Sequence, residues 1–168
     1  MKLIKYCILF TALFFLFSCN KNNTKKSSYI ELINNIDSTG KVLIADTIIY
    51  DVIIHKKNPE DTWQDESLRN FNHKEYINYI FEKIYQKKII PVDYLTSKPI
   101  SIKQIRKLEK SEDFKRKNIS KIQFHERWYL DTLTQQIDKQ IISVIFAYSI
   151  YNNESELRGY KAAFKINY

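Results

Sequence analysis

The chain has 168 residues, 44% of them apolar, with 12 tyrosines, 10 phenylalanines and a formal charge of +8. Its only two glycines are Gly40 and Gly159, which excludes a P-loop or a dinucleotide fingerprint, because phosphate-cradling loops need several glycines close together. The basic excess is mostly lysine and accompanies many Ile and Asn, as AT-rich coding gives; without arginine clustering or aromatic–basic interleaving it does not point to nucleic acid.

Met1 to Cys19 begins with Lys2 and Lys5, continues as an apolar run from Ile8 to Phe17 and ends in Ser18-Cys19. A basic start before a short apolar run is the pattern of a secretory signal peptide. The run is too short to span a bilayer, which takes about 20 residues. Leu16-Phe17-Ser18-Cys19 resembles the bacterial lipobox, so residues 1–18 are expected to be removed and Cys19 to become the lipidated N-terminus. That removal takes Cys7, Lys2 and Lys5 with it, leaving 150 residues, one cysteine and a charge of +6. The mature chain then has no pair of cysteines to bridge and must hold its core without disulfides. Residues 19–28 lead in with nothing apolar to bury and read as a flexible tether. The stretch Asn20 to Ser28 reaches roughly 15–20 Å, which keeps the domain near a membrane. Residues 29–168 are expected to form one domain.

Tyr29 to Ile36 is a short amphipathic piece, helix or strand, and Asp37-Ser38-Thr39-Gly40 is a turn. Val42 to His55 is rich in β-branched residues and reads as a long strand; its imperfect alternation implies a bulge or burial on both faces. Lys56 to Phe71 is a polar loop with a helical turn around Asp65 to Leu68, and it carries Trp63. Asn72 and Glu75 have capping-box spacing and open a helix over His73–Lys88, with Tyr76, Ile77, Ile80, Phe81 and Ile84 on one stripe. Ile89 to Tyr94 is extended, and Pro91 assigns it to an edge. Ser101 with Gln104 starts a second helix, expected from Ile102 to about Phe114. Three strands close the chain: Ile122–Leu130, Ile137–Tyr151 and Gly159–Tyr168, joined by turns at Asp131–Gln136 and Asn152–Ser155. The last is expected to place Tyr160, Ala162, Phe164, Ile166 and Tyr168 on one face. The sum is an α+β domain: an antiparallel sheet of about four strands ending in a β-meander, with two helices on one face.

Catalytic and metal-ligating patterns are missing from this sequence. His55, His73 and His125 have no second ligand at metal spacing, and neighbouring strand residues such as His125 and Glu126 point to opposite faces. No serine sits in a nucleophile elbow. Of the carboxylates, Asp131 falls in a turn, where Asp bonds its own backbone, and Asp138 opens a strand. Glu126 is the odd residue, a charge on the apolar face of an alternating strand. Its ordinary explanation is a pairing across the sheet or a bulge that turns it outward. Its functional explanation is contact with a partner, or a buried pair with Arg127 or Arg158. Trp63, Trp128 and Tyr129 are candidate interface anchors, Trp63 the better one because it lies in a polar loop, Trp128 the better fit to core packing. No enzyme activity, cofactor or metal is expected.

Three stretches, ADTIIYDVIIHKKNPED, YINYIFEKIYQKKIIPVDYL and ISKIQFHERWYLDTLTQQIDKQIISVIFAY, resemble the N-type ring subunit family of the type IX secretion and gliding-motility machinery of Bacteroidetes (the GldN/PorN family). The last is the most specific, with Glu126, Trp128, Tyr129 and Asp131 matching a family E-x-W-Y/F-x-D pattern. The chain is shorter than that family and carries a lipobox, as the partner K-type subunit does, so the resemblance implies a short lipoprotein paralogue. It implies a non-enzymatic, protein-binding role in an envelope complex at the outer membrane, with Trp63, Glu126, Trp128, Tyr129 and Asp131 as candidate interface. The tether lacks acidic residues of the kind that resemble a surface-export signal in these bacteria, which implies a periplasm-facing domain. The alternative is a lipoprotein that binds a glycan, peptidoglycan or a small ligand on its sheet.

Overall fold

A computed structural model describes residues 36–55 and 62–168. The signal peptide, Cys19, the tether and nearly all of the amphipathic piece from Tyr29 lie outside the described residues. The domain is α+β, as the sequence implies. Strands β1 (Lys41–Ile53), β2 (Ile119–Asp131), β3 (Ile137–Tyr151) and β4 (Leu157–Asn167) form one antiparallel sheet in the order β1-β2-β3-β4. Helices α1 (Thr62–Ser67), α2 (His73–Tyr85) and α3 (Ile102–Glu109), and a 3₁₀ turn over Arg116–Asn118, fall between β1 and β2. Among the described residues, no helix is long and apolar enough to cross a membrane.

The core lies between one sheet face and the helices. Ile77, Ile80, Phe81 and Ile84 of α2 and Ile105 of α3 meet Phe114, Ile122, Val144, Phe146, Tyr148, Phe164 and Ile166. Phe81 packs edge-on against Phe164 at 5.5 Å, and Phe114 against Tyr148 at 5.1 Å. Buried aromatic pairs of this kind add to the free energy of area burial. Arg116 ties the layers: its guanidinium lies 4.3 Å from the Phe81 ring centroid, pairs with Glu109 and donates to Asn78.

Several expected boundaries move. The second helix stops at Glu109, not near Phe114. Its start is the expected capping box, with Ser101 and Gln104 bonding each other's backbone N–H. At 3.6 residues per turn a continued helix would carry Phe114 to the side opposite Ile105. Instead the chain turns at Ser111, whose backbone N–H and hydroxyl both donate to the Leu108 carbonyl, and Phe114 enters the core. Helix α2 ends at Tyr85 rather than Lys88, because Lys87 takes a left-handed backbone (φ 58°) and the Lys88 N–H returns to the Lys83 carbonyl. Trp63 sits on the short helix α1, not in a loop. The last strand does not alternate cleanly: Phe164 pairs with Phe146 and Ala162 with Ala147, which leaves Ala163 as a bulge. Phe164 and Ile166 therefore face the helices, while Tyr160 and Ala162 face away. The Ile89–Tyr94 stretch takes the edge position expected of it, through reciprocal backbone bonds between Val92 and Lys165 of β4, each 2.8 Å.

Candidate functional site

Among the described residues the sheet outlasts its helices. The core cluster stops at the rung formed by Phe124, Val144 and Ile166. Pairing of β4 stops one rung further on, at Ser143 with Asn167. One bond follows, from the Tyr168 N–H to the Ile142 carbonyl at 3.0 Å, and beyond it β1, β2 and β3 continue without β4, over residues 41–48, 126–131 and 137–141. Two turns hold the far end. Asp37 accepts from the backbone N–H of Thr39 and Lys41, and Gly40 takes the positive φ of 82° that the tight turn requires. Asp131 accepts from the N–H of Leu133 and Thr134 at 2.9 and 3.0 Å, and these bonds hold its carboxyl below the usual carboxylate range. The turns touch where Thr132 donates its N–H and its hydroxyl to the Gly40 carbonyl.

Glu126 lies on the helix-facing side of this extension and is 4% exposed. The expectation that a bulge turns it outward is not met, because strand β2 alternates without a break from Lys121 onward and the irregularities beside Glu126 fall in its neighbours. The register steps from His125–Ser143 to Glu126–Ile141 and from Trp128–Ala45 to Glu126–Ile48. One extra residue is thus accommodated in β3 and one in β1, on either side of Glu126. The carboxylate is satisfied by neutral donors: Tyr50 Oη–H to Oε1 at 2.7 Å and Trp128 Nε1–H to Oε2 at 2.9 Å. A pair with Arg127 is not formed; Arg127 lies on the other face and bonds Asp46 at 2.9 Å. Arg158 is not among the partners of Glu126 either, and both of its oxygens are taken.

This arrangement makes two rigid aromatics. The Tyr50 ring stacks on Phe124 at 5.4 Å, which links it to the end of the core. Burial, then the hydrogen bond and charge of Glu126, push the Tyr50 hydroxyl up to about 12. The Trp128 indole is fixed by its N–H, and the Lys139 ammonium lies 4.4 Å from its ring centroid. Trp128 therefore stands between a buried anion and an exposed cation, a geometry that holds one rotamer. On its face the extension exposes Ile137 (53%) and Ile141, and elsewhere at the same end it exposes Leu43, Ile44 and, at the β2–β3 turn, Leu133 (83%).

The candidate residues do not form one constellation. Glu126 and Trp128 are bonded to each other. Tyr129 faces the opposite side, opposite Leu43, and its hydroxyl donates to Gln140 at 3.3 Å. Asp131 holds its own turn. Trp63 is 75% exposed on α1, and no hydrogen bond or ring contact between described residues joins it to the others. Sequence reasoning missed Tyr50 and Lys139, since neither is distinctive until the register places them beside Glu126 and Trp128. It also missed that His55 and His73 meet, with ring centroids 5.5 Å apart; His73 Nε2–H donates to the Ile119 carbonyl. Burial, and then the neighbouring His73, lower the pKa of His55. Among the described residues, no three His, Cys, Asp or Glu side chains are grouped to hold a metal ion.

The sheet face away from the helices carries a second feature. Tyr94, Lys121, Gln123, Tyr160 and Ala162 surround a depression of about 350 Å³ over Ile145 and Ala147. Lys121 is fixed there by Asp51 at 2.9 Å and lies 4.9 Å from the Tyr160 ring centroid. No family model matches the chain, and no curated protein matches it.

Proposed function

We propose that this chain is a non-enzymatic envelope lipoprotein, anchored in the outer membrane through Cys19 and facing the periplasm, whose α+β domain is an interaction module of a protein complex. The observation that carries the reading is the three-stranded extension, where exposed Ile137 and Ile141 share a sheet face with a Trp128 locked by Glu126 and Lys139, and Leu43 on the other face and Leu133 at the turn are exposed as well. Rigid aromatics bordered by apolar side chains are what protein interfaces use as anchors. The resemblance to the N-type ring subunits supports a partner in type IX secretion or gliding motility. The extension also supplies a physical reason for the E-x-W spacing: two residues apart on a strand share a face, so the indole N–H reaches the carboxylate. The test is a crosslinking pull-down with a C-terminally tagged chain, compared with Cys19→Ala and with Ile137→Asp/Ile141→Asp. A stoichiometric envelope protein that is lost in both variants is the expected result. Recovery of no such protein from the unaltered chain overturns the reading.

The depression on the opposite face favours a second reading, a glycan- or peptidoglycan-binding lipoprotein, because its volume lies in the range of small-ligand sites and tyrosines border it. Titration with peptidoglycan fragments tests this. Chemical-shift changes centred on Tyr94 and Tyr160 are expected if it holds, and an unchanged spectrum at saturating fragment excludes it.

A further inference from the structure

Helix α3 divides its residues between two sides. Ile105 is fully buried and Leu108 packs on the core, while Lys103, Arg106, Lys107 and Lys110 are all exposed. The one acid of the helix, Glu109, is consumed inside the protein by the Tyr85 hydroxyl and the Arg116 guanidinium. Among the described residues none of the four cations has an ion-pair partner; Arg106 lies over the Tyr85 ring at 5.7 Å. Four like charges on two turns of helix repel one another, so the face gains free energy when an anionic surface meets it. Gln104 joins this face to the next depression, lined by Asp93, Thr96, Lys98 and Leu108. The loop that supplies Asp93 and Thr96 carries Leu95, 75% exposed at its tip.

We propose that the basic face of α3, with Leu95 beside it, lies on the anionic phospholipid headgroups of the membrane that holds the chain, and so sets the orientation of the domain. This rests on the tether reading. The charge complementarity is that of a diffuse surface: lysines on flexible stems suit a field of headgroups, whereas a shaped phosphate or carboxylate site favours the arginine fork. Basic side chains also present long methylene stems and can extend their charge to headgroups while an apolar neighbour dips below them. A tether of roughly 15–20 Å keeps the domain within reach of that surface. With α3 on the membrane, the three-stranded extension is a separate surface for a protein partner.

The test uses the lipidated mature protein in vesicles of phosphatidylcholine alone and of phosphatidylcholine mixed with phosphatidylglycerol. Backbone amides of α3 and of residues 93–98 are expected to exchange several-fold more slowly in the anionic vesicles at low salt. High salt, and the variant Lys103→Glu/Lys107→Glu/Lys110→Glu, are expected to abolish the difference. For the unlipidated Cys19→Ala chain, flotation with anionic vesicles is expected to weaken roughly fivefold for each lysine neutralised. Equal exchange in the two vesicle types, or protection that survives charge reversal, overturns the proposal. So does α3 protection that arises only on adding an acidic envelope protein. If mass analysis finds Cys19 without lipid, the tether reading fails, and flotation decides the lipid-surface proposal by itself.

Discussion

The two ends of the sheet share the same three strands and are held by different means. At the helix-covered end, Phe146, Tyr148 and Phe164 are buried against α2, α3 and Phe114, and stability comes from area removed from water and from ring packing. At the open end, the apolar side chains of Leu43, Ile137 and Leu133 stay exposed. Order there comes from hydrogen bonds: Glu126 with Tyr50 and Trp128, Asp131 with its turn, and Thr132 with Gly40. One end spends its hydrophobic surface on folding. The other keeps it available and uses polar contacts to stay in shape. This is how a small domain can be stable and still leave apolar side chains exposed at one end.

The largest effect should follow from cutting into the covered end. Phe81→Ala removes the ring that meets Phe114, Phe164 and the Arg116 guanidinium, and is expected to cost about 3–5 kcal/mol in urea unfolding. Ile137→Ser, at the open end, should stay within about 0.5 kcal/mol of the unaltered protein. If the two substitutions cost the same, the two ends are not built differently.

Glu126 sharpens the contrast. Glu126→Ala leaves the Tyr50 hydroxyl and the Trp128 N–H without their acceptor and is expected to cost about 1–3 kcal/mol. Glu126→Gln keeps an acceptor and should cost less, while removing the charge. Tyrosinate absorbance should then show Tyr50 titrating below the value of about 12 it has in the unaltered protein, yet above the ordinary 10, since burial is the larger cause of its shift. The same shift fixes a sign. Folded Tyr50 holds its proton more tightly than the unfolded chain, so this contribution is complete below pH 10 and is lost as pH rises through about 12. Tyr76 at the covered end, also pushed up to about 12, chiefly by burial, adds to the same alkaline limb. Tyr50→Phe should remove only its own share of that limb, measured as stability against pH.

The smallest effect is expected at the turn. The Asp131 carboxyl is held below its usual range by backbone donors, so its contribution is present above that range and is lost as pH falls through the lowered value. Asp131→Asn keeps an acceptor but loses the charge, and should lower the neutral-pH midpoint slightly and flatten the acid limb by the same small amount.

Most of the covered end was legible in the sequence, because a stripe such as Ile77, Ile80, Phe81 and Ile84 has one physical solution, a helix face on a core. The turns were legible too, since Asp131 and Asn152 do locally what their side chains favour; Asn152 accepts from the N–H of Glu154 and Glu156. Legibility failed where the answer depended on a neighbouring strand. The alternation of β2 holds from Lys121 onward, and the extra residues beside Glu126 lie in β1, whose imperfect alternation did imply a bulge, and in β3, whose sequence gives no sign of one. The bulge at Ala163 likewise reverses half of β4, because pairing with Phe146 outweighs local period. The end of α3 was misplaced for a similar reason: Phe114 is needed by Phe81 and Tyr148, and helical continuation would have pointed it away. The site was legible as Glu126 and Trp128 but not as a bonded pair with Tyr50 and Lys139, which only the register brings together.

The most direct test of the account places a photo-crosslinking amino acid at Ile137, on the open end, or at Glu154, in the β3–β4 turn beyond its other end, and irradiates intact cells. The account predicts a discrete adduct with an envelope protein from position 137 and none from 154. Adducts from 154 alone, or from neither position, would contradict the claim that the open end of the sheet is the surface this domain keeps for a partner.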